Sequence, residues 1–328
     1  MNRIFGDRIG VDGVHHGLDE IRDHMAGKVE PAIRSELVKK ISTLDAADQP
    51  LATYIKDNLL DLLKADILGL KGYVNYFNTN YPNRFYEKLD GHWKSTKLGT
   101  AILEAFNYKH YRETVLVEVA RMLNVKTCPY CNMHYTLYAN EEVQVKQNTK
   151  TVGLTRFQFD HFYDKLHYPM LSMSFYNLIP SCAICNQGKS AKALSLLFHP
   201  YHSDINKQFH FELANPLGPY TAARVNDEVK IDLVPEKGVK QEEFDEYVST
   251  FHLKSLYGRH GDVVQEVFDK AYEMPYYMNP ANFDFLSDRD ADYLKRLWMG
   301  NYIEECDIEK RPMAKFMQDM WRQAKGEI

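Results

Sequence analysis

Residues 159–189 read FDHFYDKLHYPMLSMSFYNLIPSCAICNQGK, and this stretch decides the fold that the rest of the chain has to support. It contains a Cys-x-x-Cys unit, Cys182 to Cys185, and a second unit, Cys128-Pro-Tyr-Cys131, lies 50 residues upstream. Two residues between cysteines allow both thiolates to turn towards one ion, and two such units complete a tetrahedral site without an open position. We therefore predict a structural zinc site, which can contribute on the order of 10 kcal/mol to folding.

An alternative is that one pair is a redox dithiol and the other pair is coincidental. Neither pair has a thioredoxin-like context. In a reducing cytosol, closely spaced cysteines are typically metal ligands or redox centres and do not form a disulfide framework. The fifth cysteine, Cys306, has no such neighbour and is predicted to be a small buried apolar residue.

The region around the cysteine pairs is predicted to contain strands followed by a helix. Residues 133–138 and 156–161 are rich in aromatic residues that alternate with a period of two, which is typical of strands. Residues 140–150 between them are either an inserted hairpin or a surface loop. From Asn186 the pattern becomes helical and continues to Leu196.

The flanks of this region are predicted to be mainly helical. Apolar residues recur every three or four positions over 32–70 and 100–123, and a turn is predicted at 78–83. The downstream flank is predicted to hold strands at 209–213 and 229–234 and helices at 242–273 and 284–325, the last broken at Pro312. The fold class is therefore α+β, in three regions: a helical N-terminal region (1–124), a zinc-stabilised core (125–200), and a mixed, then helical C-terminal region (201–328).

The charge balance limits the ways in which this chain can bind a partner. The 328 residues include 40 Lys and Arg against 45 Asp and Glu, and a net charge of −5 argues against nucleic-acid binding through overall charge. Residues 128–200 alone carry six Lys and Arg against four Asp and Glu, so the acidity belongs to the flanks. The first ten residues lack the apolar stretch of a secretory signal, and the uncharged interval 166–188 contains prolines, asparagines and serines. We expect a cytoplasmic protein without a membrane span.

The polar residues between the cysteine pairs carry a resemblance. Asp160-His161 is predicted at the end of a strand, Asn177 follows 16 residues after His161, and Asn186 follows nine residues later at the start of the predicted helix. This order resembles the signature of the HNH (His-Me finger, ββα-metal) endonuclease family, and the two cysteine pairs bracket it as in the zinc-stabilised members. The resemblance implies a ββα-metal core and the hydrolysis of phosphodiester bonds.

The resemblance also implies a role for each of these residues. His161 would be the general base, Asp160 and Asn186 would be ligands of a catalytic Mg²⁺ or Mn²⁺, and Asn177 would fix the loop that orients His161. Asn186 stands where a second histidine often sits, and its neutral oxygen favours Mg²⁺ over softer metals. Adjacent residues of an extended strand point in opposite directions, so the strand has to end or kink here for Asp160 and His161 to serve one phosphate.

Several residues have a structural alternative beside the functional one. Lys189, one turn after Asn186, either contacts a phosphate as a substrate-binding residue or is a solvated helix lysine. His161 could be a buried structural histidine in a domain that has lost catalysis. Packing is the favoured interpretation for the weaker candidates, which are His134, Tyr163, Tyr168, His199 and His202.

The sequence thus favours a metal-dependent endonuclease, with DNA preferred over RNA because the resembled family is mostly directed at DNA. The helical flanks are interpreted as an interaction platform for a protein partner that delivers the target. This organisation resembles the HNH effector nucleases of bacterial anti-phage systems of the Septu and retron types, in which an ATPase accompanies the nuclease, and it implies a role in phage defence or restriction. Two alternatives are a catalytically silent, zinc-stabilised nucleic-acid-binding module and an assembly subunit.

Overall fold

A computed structural model describes residues 4, 8–145, 148–214, 229–277 and 290–328. The chain divides into two compact units. The N-terminal unit comprises Ile4–Val125 and Thr136–Ala193, and the C-terminal unit comprises Lys126–Tyr135 and Leu194–Ile328. The three regions predicted above, with boundaries at 124/125 and 200/201, stay a prediction. In the described part of the chain, no helix is long and apolar enough to cross a membrane.

Helices dominate the first 125 residues, as the periodicity predicts. The longest, α1, buries Ile21, Met25, Val29, Ile33 and Leu37, which recur every four residues on one face. The predicted stretches are divided into shorter helices, because polar caps such as Asp66 and Thr96 begin new ones and Asn107 turns left-handed at φ 42°. The bounds are α1 Leu18–Ile41, α2 Gln49–Asp57, α3 Leu59–Lys64, α4 Ile67–Asn80, α5 Lys97–Phe106, α6 Tyr108–Arg112 and α7 Val115–Leu123.

Short antiparallel hairpins connect and extend these helices. The first is β1 Arg8–Ile9 with β2 His15–His16, and the second is β3 Tyr86–Leu89 with β4 His92–Ser95. Asp90 and Gly91 link β3 to β4 with positive φ at both positions, which is the turn geometry that matches the twist of a hairpin. The turn predicted at 78–83 begins later than expected, because α4 continues to Asn80.

A third hairpin answers the question left open for residues 140–150. Strand β5, Tyr138–Val145, pairs with β6, Asn148–Thr155, so the hairpin interpretation is confirmed. The strand predicted over 133–138 is wrong for all but its last residue. Its backbone instead wraps around the first cysteine pair: Cys128 N donates to His134 O at 2.9 Å, and Asn132 adopts φ 49°.

The central segment folds in the order strand, loop, strand, helix. Strand β7, Gln158–His161, pairs antiparallel with β8, Leu178–Ser181, so that His161 faces Leu178 in the register. Helix α8, Ala183–Lys189, follows directly and packs on β7. It is shorter than the predicted 186–196, because Ser190 adopts φ 48° and ends it. An HNH core stays a proposal.

The C-terminal unit combines one hairpin with helices. Strand β9 Phe209–Leu213 pairs with β10 Ile231–Pro235, close to the predicted strands. The helices are α9 Gln241–Thr250, α10 Leu253–Tyr257, α11 Gly261–Tyr277, α12 Ala291–Met299 and α13 Ala314–Ala324. The predicted break at Pro312 is wider than one residue, since a 3-10 turn, Glu305–Lys310, lies between α12 and α13. Part of the predicted helix, 284–289, lies outside the described residues.

The aromatic core of this unit explains its compactness. Phe211, Tyr257 and Phe316 lie with ring centroids 4.4 to 5.3 Å apart, a range in which aromatic pairs add to the stability gained from burial alone.

Cys306 is exposed, so the prediction that it is a buried apolar residue is wrong. The pKa of its thiol is raised, by partial burial and then by the carboxylates of Asp307 and Glu304.

Candidate functional site

The four paired cysteines form one buried cluster, as predicted. The Sγ atoms of Cys128, Cys131, Cys182 and Cys185 all lie within 4.8 Å of one another, and none of the four is in a disulfide. Zinc bound to four thiolates at about 2.3 Å places the sulfur atoms about 3.8 Å apart, so a small contraction brings this cluster to that geometry. The four cysteines can therefore bind a metal such as zinc, and their proximity argues against a coincidental second pair.

Backbone groups around the cluster are arranged to stabilise thiolates. Met133 N lies 3.4 Å from Cys131 Sγ, and Cys185 N lies 3.4 Å from Cys182 Sγ at the start of α8. These N–H groups place partial positive charge beside the sulfur atoms. His134 lies near the same cluster, with Nδ1 3.7 Å from Cys131 Sγ. With four cysteines supplying the ligands, no coordination position is left for substrate.

Three of the four predicted catalytic residues line one cavity in the N-terminal unit. Asp160, His161 and Asn186 all contribute to its wall, and its volume is about 390 Å³. The strand had to end or kink for Asp160 and His161 to serve one site, and β7 does end at His161. The cavity is therefore the candidate functional site, and it lies entirely within residues 108–191.

The tautomer of His161 follows from its hydrogen bond. Nε2 lies 3.0 Å from the carbonyl oxygen of Ser172, and a carbonyl can only accept, so Nε2 carries the hydrogen and Nδ1 is the basic nitrogen. Burial lowers the pKa of His161 to about 3, and the charges of Lys165 and Lys189 act in the same direction. The imidazole is thus neutral at pH 7. Tyr108 packs edge-on against it, with ring centroids 4.6 Å apart.

Asn177 does not line the cavity, and its amide fastens the loop between β7 and β8. Its Oδ1 accepts from Tyr163 N at 2.7 Å, and its Nδ2 donates to Tyr163 O at 3.0 Å and to Leu171 O at 2.9 Å. The side chain of Asn177, at the end of the loop, therefore ties down the start of the loop at Tyr163 and its middle at Leu171. Ser172, which holds His161, lies within that loop. This geometry is compatible with the predicted role of Asn177 in orienting His161.

Asn186 lines the cavity and carries a candidate oxygen ligand. Its Nδ2 donates to Gln158 Oε1 at 2.5 Å, which fixes the amide plane. Within the described ranges no hydrogen bond to Asn186 Oδ1 is found. An amide oxygen and a carboxylate, which Asn186 and Asp160 bring to the wall of one cavity, are the kind of hard donors that Mg²⁺ and Mn²⁺ prefer. These two residues fit the predicted metal in donor type.

The burial of Lys189 excludes one of the two alternatives considered for it. Its side chain is completely buried, so the solvated-lysine alternative is wrong. Its Nζ donates to His161 O at 2.8 Å and lies 3.3 Å from Asp160 Oδ2, because the last turn of α8 faces β7. It does not line the cavity. The ammonium of Lys189 therefore influences the cavity through its ion pair with Asp160, which is in the cavity wall. The predicted contact between Lys189 and a phosphate stays a prediction.

Two cations and a tyrosine of the cavity wall were not identified from sequence. Arg112 and Tyr108 come from α6, and Lys165 comes from the loop after β7. Lys165 Nζ lies 4.9 Å from the centre of the Tyr108 ring. Burial lowers the pKa of Lys165, and Arg112 lowers it further by repulsion. An anion placed between these two cations would relieve that repulsion, while the same wall also carries the carboxylates of Asp160 and Asp164.

A second carboxylate of the wall, Asp164, is fully engaged within the protein. Its Oδ1 accepts from Leu166 N and His167 N, and its Oδ2 lies 2.7 Å from His167 Nδ1. Burial raises the pKa of Asp164, but the bonds with His167 and Leu166 outweigh burial, and the net shift is downward. Asp164 is therefore ionised and holds His167 beside the site.

Three of the weaker candidates, His199, Tyr163 and Tyr168, are engaged in packing, as favoured. His199 is buried, and its Nδ1 accepts from Tyr201 N at 3.2 Å, whereas His202 is exposed. The rings of Tyr163 and Tyr168 lie 6.0 Å apart, and Tyr168 Oη bonds to Asn78. None of these residues lines the cavity.

Comparisons with known proteins give no match: no family model, no curated protein and no solved structure matches the chain. Its function therefore has to be argued from the residues of the site.

Proposed function

We propose that this chain is a metal-dependent endonuclease of the HNH type that hydrolyses phosphodiester bonds, with DNA as its substrate. One observation carries the proposal: Asp160, His161 and Asn186, selected from sequence for this chemistry, line a single cavity together with Arg112 and Lys165. A general base, two hard oxygen ligands and two cations are the groups that phosphodiester hydrolysis requires.

Each residue of the site has its own role in the proposed reaction. Nδ1 of His161 takes a proton from the attacking water, because Ser172 holds the other nitrogen as a donor. Arg112 and Lys165 offset the negative charge that develops on the phosphate oxygens. Asp160 and Asn186 would hold a divalent cation that supplies further positive charge to the phosphate. Asn177 keeps His161 in place through the loop that it fastens.

The physiological setting belongs to the same proposal. The cations that face the cavity are few, and the chain is acidic outside residues 128–200. Weak intrinsic affinity for nucleic acid follows from this balance. We propose that a protein partner, such as an ATPase, brings the target to the site, and that the activity serves phage defence or restriction.

One observation favours a second candidate function. The ammonium of Lys189 already neutralises Asp160, the carboxylate that a divalent cation would need. A chain in which this ion pair has replaced the metal would bind a phosphate at Arg112 and Lys165 without cutting it. The second candidate is therefore a catalytically silent, zinc-stabilised nucleic-acid-binding or assembly subunit.

Metal dependence separates the two candidates. Supercoiled plasmid is incubated with the purified chain and Mg²⁺ or Mn²⁺, with Asn186→Ala and Asp160→Asn beside it. We expect nicking by the parent, and a metal concentration for half-maximal nicking that is about 10-fold higher or more for Asn186→Ala. Gln187→Ala, which changes the next residue of α8, is the matched control and should nick as the parent does. Binding without nicking in either metal would overturn the nuclease and favour the silent module.

A further inference from the structure

The β3–β4 hairpin carries an aromatic surface that no core covers. Trp93 is 52% exposed, and Tyr86 on the facing strand is half-buried. Large aromatic side chains are usually well covered, so an exposed tryptophan on a short hairpin indicates a contact surface. The two rings lie with centroids 5.4 Å apart at 75°.

The two faces of the β3–β4 hairpin carry different charged residues. In the register, Tyr86 faces Ser95 and Lys88 faces Trp93, whereas Glu87 faces Lys94. Cross-strand partners share a face and neighbours along a strand do not. Tyr86, Lys88 and Trp93 therefore lie on one face without a carboxylate, which we call the aromatic face. Lys88 Nζ lies 5.6 Å from the Trp93 ring.

The aromatic face joins the candidate site through His167. The His167 ring lies 4.1 Å from the Tyr86 ring and 5.9 Å from the Trp93 ring, measured between centroids. Its Nδ1 is held at 2.7 Å by Asp164, which lines the same cavity as His161. The segment 164–167 thus connects the rings of the aromatic face with the cavity wall.

The base of the hairpin is rigid, so the aromatic face has a fixed position. Phe85 is buried, and its carbonyl oxygen accepts from Thr96 N at 3.0 Å. Thr96 Oγ1 also donates to Arg84 O at 2.8 Å. Gly99 packs so tightly here that a Cβ would lie 2.1 Å from Phe85 O. A preorganised surface of this kind loses little entropy when a ligand binds.

We propose that the aromatic face binds an unpaired base of single-stranded nucleic acid beside the phosphate held at the cavity. The inference rests on the proposed function and specifies its substrate as a strand that is locally single. Exposed aromatic rings next to lysines provide stacking and phosphate contacts without reading sequence. A base-paired duplex hides its base faces, so it cannot use the rings of Trp93 and Tyr86 in this way.

The test measures binding without cutting. A fluorescein-labelled single-stranded oligonucleotide and its duplex are titrated with the full chain carrying His161→Ala, and the Kd values are obtained by anisotropy. Loss of base stacking costs about 1–3 kcal/mol, so we expect Trp93→Ala to weaken single-strand binding by about 5-fold to 160-fold and to leave the duplex unaffected. Trp93→Phe keeps a ring and should retain most of the affinity.

Two further variants control for folding and for general loss of affinity. Tyr272→Ala removes an aromatic residue that is 78% exposed in the C-terminal unit, and it should change neither Kd. Lys88→Gln leaves the rings in place, and it should lower the slope of log Kd against log salt by about one unit. If Trp93→Ala and its parent melt at the same temperature, the hairpin of the variant still folds. If Trp93→Ala melts at a lower temperature, the Kd values of Trp93→Phe and Lys88→Gln are used to test the aromatic face instead.

The outcomes distinguish this inference from the proposed function. The proposal that the aromatic face binds a base is overturned if Trp93→Ala leaves single-strand affinity unchanged, or if it weakens single-strand and duplex binding equally. This holds even if the parent cuts DNA. Trp93-dependent binding in a parent that never cuts overturns the nuclease and leaves the aromatic face standing. Absence of binding to either oligonucleotide overturns both.

Discussion

Lys189 and Asp160 form a buried ion pair, with Nζ 3.3 Å from Oδ2, that ties the last turn of α8 to strand β7. The same ammonium donates to His161 O at 2.8 Å, so one lysine holds both residues of the Asp-His pair. Desolvating two charges is costly, and such a pair persists where each charge has a partner of good geometry. Lys189 therefore positions Asp160 and neutralises the carboxylate that the proposed divalent cation would bind.

Removal of Lys189 should be strongly destabilising. We expect Lys189→Met to lower the free energy of unfolding by about 3–5 kcal/mol, because it leaves the buried carboxylate of Asp160 without its cation. The double variant Lys189→Met with Asp160→Asn should recover part of that loss. Urea unfolding measures both, with the exposed Lys192→Met as the control. Additive losses in the double variant would contradict the ion pair as the source of stability.

The effect of Mg²⁺ on the melting temperature of Lys189→Met tests whether Asp160 binds metal. If Asp160 is a metal ligand, Mg²⁺ should raise the melting temperature of Lys189→Met more than that of the parent, because the ion no longer competes with the ammonium. An equal effect of Mg²⁺ on the two proteins would argue that Asp160 does not bind metal.

The stability of the fold should depend on His161 below neutral pH. Its pKa is about 3 when folded and about 6.5 in the unfolded chain. The unfolded state therefore binds more protons between these values, so the stabilising contribution is complete above pH 6.5 and is lost as the pH falls towards 3. One such group contributes a slope of at most about 1.4 kcal/mol per pH unit.

Comparison with a variant that cannot titrate isolates this slope. His161→Gln retains a donor for Ser172 O, and its unfolding free energy should fall less steeply than that of the parent between about pH 6 and pH 4, a window within the pKa interval. Urea unfolding at several pH values measures the difference. Parallel curves would mean that His161 takes up its proton equally in both states.

The cysteine cluster should hold one structural metal ion. We expect Cys182→Ser to lose the metal, and to lower the melting temperature substantially, because Cys182 is both a cluster member and the cap of α8. Asn186→Ala should stay folded. Metal analysis and thermal melts with and without a chelator measure this, and Cys306→Ser is the matched control because Cys306 is exposed. A harmless Cys182→Ser would contradict the site.

The two cations of the cavity should act on the substrate and not on the fold. We expect Arg112→Gln and Lys165→Gln each to lower kcat/KM by about 10-fold or more, while Lys165→Arg retains most of the activity. Melting temperatures should change little. Lys71→Gln, an exposed lysine on α4, is the control. Activity that is independent of both residues would place the phosphate elsewhere.

The sequence was informative where local spacing decides the structure. The two Cys-x-x-Cys units predicted the cysteine cluster because two intervening residues bring the thiolates of each pair together. The spacing of Ile33 and Leu37 predicted a helix face, and both residues are buried in α1. The strand predicted at 133–138 failed because its alternation belongs to the turn around Cys128. No local pattern could indicate that α6 supplies Arg112 and Tyr108 or that Lys189 turns inward, since both depend on tertiary packing.

Cleavage by the His161→Ala variant tests the central claim most directly. The initial rate of plasmid nicking in Mg²⁺ is measured for this variant and for His202→Ala, which changes an exposed histidine of the C-terminal unit. Both variants are first shown to melt as the parent does and to have the same metal content. Loss of a general base costs about 100-fold or more, so we expect His161→Ala to nick at about 1% of the parental rate or below, and His202→Ala to match the parent. Nicking by His161→Ala at the parental rate would contradict the assignment of catalysis to this site.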